Sequence, residues 1–425
     1  MKNINEKIAI IGGGISGIAA SVYLIEKGYN VDVFESKKNL GGRAGSINSG
    51  KNKVDIGQHI FLPSYKNFIE LLHKINVQDH LNIEKKLNIT VQDNSKKYFI
   101  KSNISIYPFN LIFSVLNYKN LKFSERLKIL IGLYKLSKIK NYNYKISFET
   151  WLKKNWQNQD MIKKFWEIIC VPAFNSKLNQ VSMNHAVHLF KLMIFKPKKN
   201  IGICYFKKPF SEIINKNFED YLKKYKSNLY LGEKINNINL FNKKYILEGR
   251  NKKYSYNKVI IATNISNAIN LGKLNNKNLN VTTNGIINIY FWFDKKIINE
   301  EFISFSNSKL EWIFSDNKSK KIKKEFKIIV SLSAVGDLIK NSNEKLVYEY
   351  ENILRKELNI SDDTKTIKSL AIRSPKATQI KDQISTINKK NKNLLFVGDW
   401  TIQDLPNTME TAVLSSKKLI ENNFK

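Results

Sequence analysis

The stretch from Lys7 to Arg43 constrains the chain most, because it sets a buried-type strand, a glycine-rich turn, a helix, a second strand and an acid in one register. The apolar run from Ile8 to Ile11 suits a parallel strand covered on both faces. Gly12, Gly14 and Gly17 follow as G-x-G-x-x-G. The first glycine permits the tight turn, the second lets phosphate approach bare backbone, and the third lets the helix sit close to the strand. Ile18 to Ile25 continue as a helix that Gly28 ends, and Val31 to Phe34 form the next strand. Glu35 lies 18 residues past Gly17, near the roughly 20 expected of an acid that binds an adenosine ribose. The unit therefore predicts a dinucleotide site in which the helix N-terminus, with Ser16 in its first turn, turns free N–H groups and its positive dipole end toward a pyrophosphate.

NAD and FAD share this pattern, so the choice between them comes from elsewhere. Gly41-Gly42-Arg43-Ala44-Gly45-Ser46 adds a second flexible turn and a guanidinium, whose planar fork suits phosphate or flavin oxygens. Only five arginines stand among 71 basic residues, so one at this position is informative. Further on, Asp55-Ile56-Gly57-Gln58-His59 sets a glycine beside polar side chains. Near the far end, Leu394 to Val397 reads as a buried strand running into Gly398-Asp399-Trp400-Thr401, with a last helix from Thr411 to Ile420. A strand ending in Gly-Asp before a helix suits a return to the cofactor, with Asp399 accepting from ribityl hydroxyls and the helix N-terminus facing a flavin's pyrimidine edge. That arrangement points to FAD.

With those residues in hand, the chain resembles the flavin amine oxidase and phytoene desaturase superfamily. Within it, DIGQH at 55–59, FWEIICVPAFN at 165–175, FWFD at 291–294, EWIF at 311–314 and GDWTIQDLPNTMETAV at 398–413 resemble the squalene-associated FAD-dependent desaturases, read as hydroxysqualene dehydroxylases. The resemblance implies an α/β fold: a Rossmann-type, glutathione-reductase-like FAD-binding domain (1–62, 198–270 and 365–425) with an inserted α+β substrate domain (63–197 and 271–364). It implies FAD contacts from Gly12, Gly14, Ser16, Gly17, Glu35, Gly42, Arg43, Gly57, Gln58, His59, Ile235, Gly398, Asp399 and Met409, with Ile235 meeting the adenine through its backbone. The activity implied is reductive removal of a hydroxyl from hydroxysqualene. The proton for the departing hydroxyl is assigned to His59 or Asp55, with Glu311 and Glu410 as rivals; the other role for Gln58 and His59 is hydrogen bonding to the flavin or its loop. A carotenoid-type desaturase or an amine oxidase is the alternative. Aromatics such as Phe165, Trp166, Phe291 and Trp312 are expected either to line an apolar tunnel for a polyisoprenoid or to be ordinary core. The chain departs from the family pattern at Ile56, where asparagine is usual, and at Thr411 and Ser416, where glycines are usual; side chains there are expected to crowd the flavin-side helix.

The formal net charge of +35 invites a nucleic-acid partner. Base readout leans on arginine, however, and here the charge is nearly all lysine in a chain also rich in asparagine and isoleucine, three residues with A/T-rich codons, so no nucleic-acid partner is expected. The segment from Asn117 to Lys145 differs. It interleaves lysines with leucine, isoleucine and tyrosine, which fits either a basic amphipathic helix lying on an anionic membrane or a core-facing helix with a solvated lysine face. No run reaches the 18 to 20 apolar residues of a spanning helix, roughly the bilayer thickness, and MKNINEK runs straight into the first strand. A cytoplasmic or inner-face peripheral location is expected, with an unidentified electron donor. Cys170 and Cys204 lie far apart and read as buried thiols, and His185 and His188 share a helical face without an evident third metal ligand, so no metal is expected.

Overall fold

A computed structural model describes residues 4–50, 52–84, 86–104, 106–140, 145–193, 202–274, 282–315, 325–379, 392–403 and 405–424. They divide into two units, one of residues 1–82, 204–282 and 379–425 and one of residues 83–203 and 283–378.

The first unit is built on a five-stranded parallel sheet. Its strands are β1 (Ile4–Ile11), β2 (Tyr29–Glu35), β3 (Asn228–Leu231), β4 (Lys258–Ile261) and β5 (Leu394–Phe396), in the order β3-β2-β1-β4-β5. The order runs outward from β1, so the glycine turn after β1 opens at the C-terminal edge of the sheet, where open α/β sheets bind ligands. Helix α1 (Ile15–Glu26) leaves that turn almost wholly buried, from Ile15 to Ile25, because it lies between the sheet and a second helix. That second helix is α4 (Met409–Asn423), named with α2 (Lys66–Lys74) and α3 (Phe210–Lys224) between them in the chain. The Ser416 hydroxyl on α4 donates to the Ser16 carbonyl at 2.8 Å, joining the two helices.

The boundaries expected from sequence need three corrections, one of them at residue 270, which falls inside the helix Ile265–Gly272 of the first unit. Helix α2, assigned to the substrate domain, belongs to the first unit: the buried Glu410 carboxylate on α4 accepts the N–H groups of Asn67 and Phe68 at its N-terminus. Conversely, the strand Thr366–Gln379, assigned to the FAD domain, runs beside Thr283–Phe293 in the sheet of the second unit. The boundary expected at residue 198 lies outside the described residues.

The second unit is organised by a seven-stranded sheet in the order Thr366–Gln379, Thr283–Phe293, Phe326–Leu332, Trp312–Ser315, Phe302–Ser306, Asn88–Asp93 and Lys96–Lys101. The strand Thr283–Phe293 is apolar on both faces. Ile287, Ile289, Phe291 and Phe293 pack toward Leu346, Tyr350 and Leu354 of the helix Asn343–Leu358, whereas Tyr290 stacks with Trp292 at 5.9 Å. Trp312 donates from Nε1 to the Ile168 carbonyl. The aromatics that the sequence groups together are thus divided by the pleat, since alternate residues face opposite sides. Phe291 and Phe293 are core. Trp166 is core too, with its Nε1 satisfied by Gln157 and its ring edge-on to Phe148 and Phe190.

Candidate functional site

The glycine loop is held by contacts that the motif does not spell out. Gly12 takes φ +113°, its N–H donates to the Phe34 carbonyl, and a Cβ there would stand 2.8 Å from the Ala262 oxygen. At Gly17 a Cβ would stand 1.9 Å from the Gly12 oxygen, so this glycine is demanded by helix-to-strand packing alone. Gly14 is different. Its conformation, φ −76° and ψ 177°, suits any residue, and the nearest atom to an added Cβ is Gly42 Cα at 3.8 Å. Nothing within the chain requires a glycine there, which fits the expectation that a bound group approaches its backbone. As the N-cap of α1 it provides no side-chain cap, leaving the N–H groups of the first turn available to an anion.

Glu35 ends β2 with its carboxylate buried and partly committed: Oε2 accepts the Gly13 N–H at 2.7 Å and Oε1 accepts the Lys37 N–H at 2.8 Å. The acid expected to bind a ribose thus also shapes the glycine loop. The second turn lies directly against the first. Gly41 donates to the Gly13 carbonyl, and Gly41 and Gly42 take φ of +100° and +59°, values that favour glycine. Gly13 and Gly41 were not among the expected site residues; the doubled glycines at 13–14 and 41–42 are the signal for them.

Arg43 and Asp399 face each other at 2.6 Å, although 356 residues separate them in the chain. Asp399 is buried, and its charge pushes the Arg43 guanidinium further up from its usual range. Gly398 stands just past β5, ahead of Asp399, and donates its N–H to the Ser415 hydroxyl midway along α4, the helix that Met409 begins. Its N-terminus is capped by Thr408, whose hydroxyl accepts the Thr411 N–H. Ile235, five per cent exposed, lies in the core with Ile11, Phe34 and Ile261.

In the 55–59 loop the expected proton donors part company. Asp55 Oδ1 accepts the Ser46 hydroxyl at 2.6 Å and the Phe210 N–H at 2.8 Å, anchoring the start of α3. Ile56 donates its N–H to the Gly45 carbonyl, tying Gly57 and Gln58 to the second glycine turn. His59 buries Nε2 with no hydrogen-bond partner, and desolvation lowers its pKa against the opposing pull of Asp55. A neutral imidazole with an unanswered buried nitrogen fits a group that has yet to arrive. Glu410 is spent on Asn67 and Phe68. Glu311, in the second unit, accepts the Ser333 N–H, and burial pushes its carboxyl up to about 7.

The departures at 411 and 416 do not crowd the helix in the expected way. The Thr411 hydroxyl donates to the Pro406 carbonyl at 2.7 Å and that of Ser416 to Ser16, so both turn inward to backbone acceptors. Cys170 and Cys204 are buried thiols, with burial pushing the Cys170 thiol far up. Among the described residues no three His, Cys, Asp or Glu side chains are grouped to hold a metal, and no helix is long and apolar enough to cross a membrane.

The parallel sheet, the bare backbone at Gly14 and the orphaned His59 nitrogen fit a bound dinucleotide such as FAD. The chain belongs to the flavin containing amine oxidoreductase family, which it matches over residues 15–418. It is 21% identical over 247 residues to a zeta-carotene desaturase from Synechocystis, covering 55% of this chain and 50% of that protein. The chain spans about half the length of that curated relative. Its fold is similar to an oxidoreductase from Methanosarcina mazei, with a TM-score of 0.76 at 16% identity, covering 98% of this chain and 100% of the other. Cyclohexylamine oxidase from Brevibacterium oxydans has a TM-score of 0.71 at 12% identity, covering 98% of each chain.

Proposed function

We propose that this FAD-dependent oxidoreductase acts on an apolar C30 isoprenoid and reductively removes the hydroxyl of hydroxysqualene to give squalene. The observation that carries the proposal is the presence of the DIGQH and GDWTxxxLPxTxE residues, the second following the β5 strand of the cofactor sheet, together with a buried and unanswered His59 Nε2 in the first. A second reading, desaturation of a carotenoid-type polyene, is favoured by the zeta-carotene desaturase relative and runs the cofactor in the opposite redox direction.

When bound, FAD supplies hydride exchange at its ring system. The chain's own residues then divide the remaining work. Gly12, Gly14, Ser16 and Gly17 hold the pyrophosphate on the α1 N-terminus, Glu35 holds the adenosine ribose, and Arg43 and Asp399 hold the flavin half. Gly57, Gln58, Ile235, Gly398 and Met409 are the remaining residues that the resemblance assigns to FAD, Ile235 through its backbone. His59, held neutral by burial, is a poor source of a proton at pH 7 and is assigned to holding the flavin or its loop. Asp55 and Glu410 are structural anchors. Glu311 lies in the second unit, where burial pushes its carboxyl up to about 7, and no proton-donor role is assigned to it.

Anaerobically photoreduced holoprotein mixed with hydroxysqualene tests the proposal, with squalene formation followed by mass spectrometry. Squalene with matched flavin reoxidation is the expected result. No squalene, but a dehydrogenated product from oxidised holoprotein and a carotenoid precursor, would replace it with the second reading.

A further inference from the structure

The helix Phe123–Lys138 carries two apolar faces. Ile129, Leu133 and Leu136 are buried within the second unit. Phe123, Leu127, Ile131 and Tyr134 recur at i, i+4, i+8 and i+11 on the opposite side and stand in solvent, Phe123 60% exposed and Tyr134 63%. One apolar stripe is what a surface helix of a globular protein needs. The neighbouring helix Phe109–Leu116 also turns aromatic rings outward, exposing Phe109 and Phe113 while burying Asn110, Ser114 and Val115. Trp156 is exposed as well, with Lys135 Nζ 4.0 Å from its ring centre. An exposed apolar patch of this extent marks an interaction surface.

Its charge identifies the occupant. From Lys96 to Lys140 the chain has ten basic residues and one acid, Glu125. That acid is buried, and its carboxylate accepts from the Lys122 N–H and from Asn158. Lys122, Lys128 and Lys138 flank the outward stripe. Lys101 and Lys119, with Phe99 and Phe113, line a groove of about 540 Å³ beside it. A second copy of the chain would bring the same positive charge to the contact.

We propose that this face docks on an anionic phospholipid bilayer, with the apolar stripes at the acyl boundary and the lysines on lipid phosphates. Aromatic rings belong at that depth, and lysine stems reach from it to the headgroups. The surface is independent of which isoprenoid the enzyme converts, so vesicles without substrate test it alone.

The FAD-loaded full chain is sedimented with vesicles of phosphatidylcholine, alone or with about one third phosphatidylglycerol. Tighter binding to the anionic vesicles is expected. Paired Phe109→Ser and Phe123→Ser, or paired Lys101→Glu and Lys119→Glu, should each weaken it about tenfold. The control pair Lys243→Glu and Lys244→Glu, on an exposed turn of the first unit, should change it less than about twofold. Equal losses from face and control pairs, absence of anionic-vesicle binding, or self-association that only the face pairs abolish would each overturn the proposal. Should the face variants fail to fold, Phe123→Cys carries an environment-sensitive dye selectively, since Cys170 and Cys204 are buried. A blue shift with anionic vesicles is expected, and an unchanged spectrum refutes insertion.

Discussion

Replacing Gly14 with alanine separates a glycine kept for a ligand from one kept for the fold. At φ −76° and ψ 177° alanine is unstrained, and its methyl meets only Gly42 Cα, at ordinary van der Waals distance. Gly→Ala at such a position restricts the unfolded chain and stabilises by about 0.4–1 kcal/mol. The apoprotein should therefore melt at the wild-type temperature or slightly above it. The methyl would nonetheless stand between the two glycine turns, where the proposed site has phosphate meet bare backbone. Losing one charge-assisted hydrogen bond there costs about 1.5–3 kcal/mol, or about 10- to 100-fold in FAD affinity. Gly17→Ala is the contrast: a Cβ 1.9 Å from the Gly12 oxygen forces α1 off the sheet, and the apoprotein itself should melt several degrees lower. Flavin-fluorescence titration and thermal denaturation of both apoproteins measure the two effects. If Gly14→Ala binds FAD within a factor of about two of wild type, or destabilises the apoprotein as Gly17→Ala does, the cradle has been misassigned.

Glu410→Ala should destabilise the protein by about 3–5 kcal/mol in thermal denaturation, because it strips the acceptor from two N–H groups at the start of α2; a loss below about 1 kcal/mol would contradict the anchoring role. Glu311 gives a pH signature. Its folded-state pKa of about 7 lies above the 4.5 of a free glutamate, so the folded state binds the proton more tightly. Stability should therefore fall by up to about 3 kcal/mol as pH rises from 4.5 through 7. Glu311→Gln should lack that slope in melts across the range, and an unchanged slope would show that another group is responsible. His59 acts at the other end: its lowered pKa means that the folded state resists protonation, so this contribution is lost as pH falls below 6.5 through the folded value. His59→Gln should flatten the acid limb of the melting profile, and retention of that limb would remove His59 as its source. Ser416→Gly should cost about 1 kcal/mol of stability through the lost bond to Ser16 while leaving FAD affinity within about threefold, and a large affinity change would place that hydroxyl at the flavin after all.

The cofactor half was legible where local sequence dictates local geometry. The glycine spacing, the apolar strand at 258–261, the strand into Gly398-Asp399 and the last helix all follow from period and turn chemistry, and the sheet assembles from them in parallel register. Contacts closed across the chain were not legible. Asp55 meets Phe210 across 155 residues, and Glu410 meets Phe68 across 342. Each carboxylate satisfies main-chain N–H groups that carry no side-chain signature, so sequence left both as candidate acids. The continuous aromatic run at 290–293 gave no period from which to separate core from second face, and only the pleat divides it. The basic helix posed the same difficulty in a different form. Membrane-facing and core-facing were read as alternatives, yet the helix has enough apolar residues for both, with Ile129, Leu133 and Leu136 buried and Phe123, Leu127, Ile131 and Tyr134 exposed.

That double use bears on the departures from family pattern. A glycine on a cofactor-side helix permits close approach, so its replacement by Thr411 or Ser416 would count against FAD if either hydroxyl faced the cradle. Both instead donate to carbonyls inside the first unit, one within its own turn and one across to α1. The second bond reaches Ser16, in the first turn of the helix expected to meet the pyrophosphate, and so steadies the N-terminus that Gly14 leaves uncapped. The side chains that break the motif thereby reinforce the element the cofactor needs. Compatibility with FAD rests on where those hydroxyls point, which the identity of the residue alone does not convey.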